Sequence, residues 1–178
     1  DIRTHSCIGA EALVRWRSSR LGFLMPGRFI ELFERNGFVV RLDFYMLESV
    51  FRFQRQRLQA GLPIVPISVN QSRLHMTEEG YLEKMRQVLS RYQKVPAGAV
   101  ELELTETAFM GFNDAQRVEA LSIVGELQAM GFAISMDDFG SGYSDLSLLN
   151  ALPMDVMKLD RTLLNASEDS ERMQIVLA

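Results

Sequence analysis

The stretch Ser135-Met136-Asp137-Asp138-Phe139-Gly140-Ser141-Gly142-Tyr143-Ser144-Asp145 decides how the rest of the chain is read. A short apolar strand, Phe132 to Met136, runs into two adjacent carboxylates, and a glycine-punctuated loop follows at once. Adjacent aspartates repel each other unless a cation lies between them. Glycines in the loop let the backbone turn tightly and come close to a ligand. An isolated Asp-Asp pair also fits a plain polar turn from strand to helix. The surrounding chain has to choose between the two.

Working outward, strand and helix patterns alternate. Ile8 to Trp16 reads as a buried strand carrying charges. Pro26 opens a helix whose apolar face is Phe29, Ile30, Leu32 and Phe33, and Gly37 follows its end. A second helix runs from about Val40 to Gln59, with Leu42, Met46, Val50 and Phe53 at helical spacing. Ile64 to Asn70 is the next strand, then a helix from about Glu79 to Tyr92. Val100 to Thr105 alternates cleanly, and Asp114 to Met130 forms a helix using Val118, Leu121, Val124 and Leu127. Beyond the central loop come a short helix near Leu146–Asn150, a strand from Val156 to Asp160, and a helix beginning near Glu168. Strand-helix alternation implies a parallel sheet with helices outside it, an α/β fold.

Side chains alternate faces along a strand. In each of the five predicted strands one face is apolar, and the other carries Glu11, Asn70, Glu103, Asp137 or Lys158. If the sheet curls into a barrel, that second face is the interior, and polar groups near the C-terminal strand ends form the active site. Three carboxylates and an amide converging beside a lysine are costly to bury without a cation. All-oxygen ligands suit Mg²⁺ or Mn²⁺. The other reading is a set of solvated surface carboxylates.

Bulk properties narrow the classes. The 178 residues are of single-domain size, and 47% apolar content is ordinary for a chain with a core. A net charge of −4 argues against coating nucleic acid by bulk electrostatics. His5 and His75 are the only histidines, which argues against a histidine-rich zinc site. Cys7 stands alone and cannot form an internal disulfide, which fits a reducing, cytoplasmic compartment. No apolar run reaches the length of a membrane span. The chain opens on Asp1 and closes inside a helical pattern, so both ends read as cut from something longer.

Taken in order, Glu11-Ala12-Leu13 followed by Arg15, Ser68-Val69-Asn70, Glu103-Leu104-Thr105-Glu106, the Asp137-to-Ser144 stretch and Lys158-Leu159-Asp160 resemble the signature blocks of EAL-domain cyclic di-GMP phosphodiesterases. The resemblance spans nearly the whole chain. It implies a modified TIM (β/α)8 barrel that hydrolyses cyclic di-GMP to linear pGpG with two Mg²⁺ or Mn²⁺ ions, in bacterial second-messenger signalling. By the same resemblance Glu11, Asn70, Glu103 and Asp137 are metal ligands and Asp138 a ligand of the second metal. Lys158 holds the attacking water, and Leu13 and Arg15 fall at the substrate. Glu106 anchors the loop Gly140, Ser141, Gly142, Tyr143, Ser144; as an acid at a helix N-terminus it has an equally simple structural reading.

The family's barrel has one strand before the first seen here and two after Lys158, one of them bearing a further metal-binding glutamate. A barrel of this kind takes about 250 residues. Residues 1–178 therefore read as a partial EAL domain truncated at both ends, an incomplete barrel lacking the first strand and the last two. Weak or no catalysis is expected of it alone. Its open sheet edges invite pairing with a second copy, and its parent is expected to carry other signalling domains. Two alternatives stand beside the enzyme: a non-catalytic cyclic di-GMP receptor or interaction module, and an unrelated metal-dependent barrel enzyme.

Overall fold

Val100–Thr105, the cleanest alternation in the sequence, forms the middle strand of a five-stranded parallel sheet. The computed structural model describes residues 1–140 and 153–160, except the side chains of Glu106 and Thr107. In chain order the elements are β1 (Ala10–Glu11), β2 (Trp16–Ser18), β3 (Gly22–Leu24), α1 (Ile30–Arg35), α2 (Phe38–Gln59), β4 (Ile67–Asn70), α3 (Tyr81–Arg91), β5 (Val100–Thr105), α4 (Asp114–Ala129), β6 (Ala133–Phe139) and β7 (Val156–Leu159). Short 3₁₀ turns punctuate the loops, among them Arg73–Thr77 and Glu106–Phe109.

The parallel sheet has the order β1-β4-β5-β6-β7. It follows the chain without reversal, as a barrel wall does; a doubly wound sheet would reverse at a switch point. Helices cover its apolar face. Leu47, Val50 and Phe51 of α2, Met85 and Val88 of α3, and Val124 and Leu127 of α4 pack in one cluster with Val69, Leu102, Leu104, Ile134 and Met136 of the strands. The start of α4 has a local cause. Asn113 accepts from the Gln116 amide at 2.9 Å, and the Gln116 side chain accepts from the Asn113 amide at 3.0 Å, a reciprocal capping box.

Several sequence expectations change. The strand predicted over Ile8 to Trp16 pairs only at Ala10–Glu11, extended by bonds from Ala10 N–H to the Pro66 carbonyl and Ala12 N–H to the Ser68 carbonyl. Trp16 instead starts an antiparallel hairpin with Gly22–Leu24. Its ring packs on Phe29 at 5.7 Å and Phe33 at 6.0 Å, so aromatic contact with the next helix draws it off the sheet. Strand β4 begins at Ile67 rather than Ile64, directly after Pro66, which has no N–H to offer a ladder. The helix predicted from Val40 is α2 and starts two residues earlier, at Phe38.

The buried stripe of α2 is rotated from the predicted one. Val39, Asp43, Leu47, Val50, Phe51 and Gln54 are buried, while Phe53 is 48% exposed. Similarly, Val118 of α4 faces solvent. Strand β6 runs to Phe139 and so contains both aspartates, because pairing with β7 continues past an irregularity between Met136 and Phe139. The predicted helices near Leu146–Asn150 and beyond Glu168 lie outside the described residues.

Gln54 is an internal tie. Its Nε2 donates to the Val65 carbonyl at 2.7 Å and the Ala99 carbonyl at 3.0 Å, at the N-terminal ends of β4 and β5. Gln54→Leu strands both carbonyls in the core and should lower unfolding free energy by about 1–3 kcal/mol, read by urea denaturation. An unchanged midpoint would show that the tie contributes nothing.

Candidate active site

Strand register builds the site. Partners on neighbouring strands of a sheet share a face. Glu11 stands beside Ser68, Asn70 beside Glu103, Glu103 beside Ser135, and Thr105 beside Asp137. Val156 stands beside Ser135, which puts Lys158, two residues on, on that face as well. Glu11, Asn70, Glu103, Asp137 and Lys158 thus lie on the face opposite the helices. Asn70 Nδ2 donates to Glu11 Oε1 at 3.2 Å, linking the edge strand to the next.

Lys158 and Glu103 form the central pair. Glu103 is only 2% exposed, and Lys158 Nζ donates to its Oε2 at 2.6 Å and to Ser68 Oγ at 3.1 Å. Burial lifts the Glu103 carboxyl above the ordinary carboxylate range; bonds from Lys158 and Ser68 pull it down, and the Asp137 charge lifts it again. Asp138 is also held above the ordinary range, by burial first, then by the charges of Asp137, Asp160 and Glu11. Its backbone is left-handed, with φ of +54°, which breaks the alternation at the strand end and costs a non-glycine residue energy. Such strain is typical of functional positions.

Other expected site residues are placed less centrally. The Arg15 guanidinium folds back onto the Val14 carbonyl at 2.7 Å and is exposed. Leu13 is half exposed and lines a cavity of about 710 Å³ together with Glu11, Asn70, Asp43, Arg73 and Thr105. Gly140, with φ of +91°, ends the described part of the loop. Ser141, Gly142, Tyr143 and Ser144, and the Glu106 side chain, lie outside the described residues.

The donor chemistry fits a hard divalent cation. Carboxylates from three strands and one amide share a rim, and after burial their charges help to raise Asp138. Among the described residues, no three His, Cys, Asp or Glu side chains form a group that could hold an ion as they stand. One oxygen of Glu103 is already engaged by Lys158.

Three residues at the site have no role in the sequence reading, although Ser68 and Asp160 lie within its blocks. Asp160 acts on Asp138 electrostatically, Ser68 holds Lys158, and Asp43 is buried at the cavity wall. Ser68 was legible, since it shares parity with Asn70. Asp43 was not, because a lone acid in an apolar stripe carries no periodic signal.

The EAL domain family profile matches residues 1–178. The chain is 38% identical over 172 residues to the bifunctional diguanylate cyclase/cyclic di-GMP phosphodiesterase MucR of Pseudomonas aeruginosa, covering 96% of this chain and 24% of that protein. It is 37% identical over 169 residues to the cyclic di-GMP phosphodiesterase NbdA of the same organism, covering 94% of this chain and 21% of that protein. The chain thus spans a quarter or less of the length of these relatives. The PaMucR phosphodiesterase in its c-di-GMP complex superposes with a TM-score of 0.80 at 34% identity, over 96% of this chain and 67% of that one. The parallel sheet is accordingly a curled part of an EAL-type barrel. With blocks, register and relatives in agreement, the chain belongs to the EAL domain family.

Proposed function

We propose that this chain supplies the metal-binding half of a cyclic di-GMP phosphodiesterase, which hydrolyses the cyclic dinucleotide to linear pGpG. The observation that carries the reading is the shared face of Glu11, Asn70, Glu103 and Asp137, with Asp138 at the same strand end and Lys158 reaching past β6 to Glu103. The relatives MucR and NbdA, whose names include cyclic di-GMP phosphodiesterase, support it.

Glu11, Asn70, Glu103, Asp137 and Asp138 would hold Mg²⁺ or Mn²⁺. When bound, such ions neutralise the phosphodiester, acidify water and stabilise the leaving oxygen. In hydrolysis the water oxygen bonds to phosphorus, the bond from phosphorus to one ribose oxygen breaks, and that oxygen leaves as a hydroxyl. Lys158 is suited to orient the water, because its ammonium is anchored by Glu103 and Ser68 yet 30% exposed. Arg15, bonded at the surface to the neighbouring Val14 carbonyl, can swing to a phosphate oxygen and bind it with a charge-assisted bond. Leu13 offers an apolar wall beside the same cavity.

The protein carrying this chain should convert cyclic di-GMP to pGpG with Mg²⁺ or Mn²⁺, followed by chromatography. Lys158→Met should lower kcat by about 10²–10³-fold, and Glu11→Ala should abolish metal-dependent turnover. Equal rates in wild type and Glu11→Ala would overturn the enzyme reading. Binding without turnover would favour the receptor.

The raised carboxyls give an independent test by pH. Glu103 and Asp138 hold their protons more tightly folded than unfolded. Without a cation, the stability they contribute is present at acid pH and lost as pH rises through their raised values. In metal-free protein, Asp138→Asn should therefore raise the melting temperature near neutral pH, where it removes repulsion, and leave it unchanged at about pH 3, below the ordinary carboxylate range. Mn²⁺ should stabilise wild type more than the variant. A melting temperature that is the same for both proteins at neutral pH, with and without Mn²⁺, would contradict the crowded-carboxylate account.

A further inference from the structure

Behind Asn70 lies a buried polar network that the proposed chemistry does not use. Asp43, only 6% exposed on α2, accepts the Ser72 amide N–H on Oδ2 at 2.8 Å, and the same oxygen lies 3.0 Å from His75 Nε2. The fully buried His75 ring stacks on Tyr81 at 4.5 Å, with Phe44 edge-on to both. His75 Nδ1 is 3.4 Å from Glu78, which pairs in turn with Lys84.

A second branch starts at Tyr81. Its hydroxyl donates to Gln71 Oε1 at 3.0 Å, and Gln71 Nε2 donates to the Asn70 carbonyl at 3.0 Å. Burial first, then the charges of Asp43 and Glu78, push the Tyr81 phenol well above its ordinary range, so it stays a donor. The Asn70 carbonyl can only accept, which fixes the orientation of the Gln71 amide and turns Oε1 to the phenol. The Gln71 backbone N–H also donates to the Glu103 carbonyl at 2.9 Å.

The turn leaving β4 is therefore clamped at two successive residues by groups from α2 and α3. The Asn70 side chain stands exposed at the strand end and meets Glu11 Oε1, and the backbone that these clamps hold sets where it can reach. A buried carboxylate such as Asp43 is costly, and replacing such groups with apolar ones is often neutral or stabilising. Asp43 sits in a stripe otherwise filled by Val39 and Leu47, which would be better packed by another aliphatic residue if covering the sheet were the only task.

We propose that Asp43, backed by His75 and Tyr81, is a positioning unit that aims Asn70 into the cation site without touching cation or substrate. The proposal rests on the reading of Asn70 as a metal ligand. Groups that support ligands from behind are worth about 10- to 100-fold in metal affinity.

The test is Mn²⁺ titration by calorimetry on wild type, Asp43→Asn, Tyr81→Phe, Asn70→Ala and Gln54→Leu, with thermal unfolding recorded for each. Gln54→Leu serves as the control: it breaks a buried polar tie of similar kind at the other ends of the strands. Asp43→Asn should weaken Mn²⁺ binding by about 10- to 100-fold and Tyr81→Phe by less, while Gln54→Leu lowers stability without changing affinity. If Asp43→Asn does not fold, Tyr81→Phe carries the comparison with Gln54→Leu. Unchanged affinity in Asp43→Asn and Tyr81→Phe, or an equal loss in Gln54→Leu, overturns the positioning role and leaves the metal reading standing. Full affinity in Asn70→Ala removes Asn70 as a ligand, and absence of Mn²⁺ uptake by wild type removes the metal reading; either takes the positioning role with it.

Discussion

Everything at this site depends on finding partners for a carboxyl buried on the inner face of a parallel sheet. Glu103 has almost no exposure, and an isolated ionised acid there would be untenable. Lys158 answers from two strands away, and its Nζ also donates to Ser68 on the strand beyond Glu103. That three-way contact requires β4, β5, β6 and β7 in their observed register. A one-residue slip of any of them would turn its polar set toward the helices.

The repulsion left over is as informative as the pairing. The charges of Asp137, Asp160 and Glu11 all act on Asp138 at the rim. A fold under selection for stability alone would spread these charges. Their concentration at one strand end is a cost that, under the proposed function, a divalent cation would offset; the left-handed backbone of Asp138 is a separate cost.

The helices do more than cover the sheet. At one end α2 contributes Gln54, which ties the strand starts, and nearer its beginning Asp43, which ties the turn after β4. The one helix therefore sets both ends of β4. This explains why its buried stripe includes two polar residues that an apolar pattern search passes over, and why the stripe lies rotated from the one expected through Leu42, Met46 and Phe53. The hairpin Trp16–Leu24 escaped for a related reason: Trp16 looks like a strand residue by alternation, yet its partners are Phe29 and Phe33 on a later element.

The amino-acid order alone determined the strand-helix alternation, the α/β class and which side chains share a face, because periods of two and 3.6 are properties of the backbone itself. Within each strand it also placed Glu11, Asn70, Glu103, Asp137 or Lys158 on the face away from the apolar residues; that these faces coincide across the sheet is a matter of register. Only the tertiary structure decided where β1 stops pairing, that Lys158 is spent on Glu103, and that Asp43 lies beneath the Asn70 turn. Each of these depends on a partner that distant chain segments supply, and no local pattern encodes the meeting.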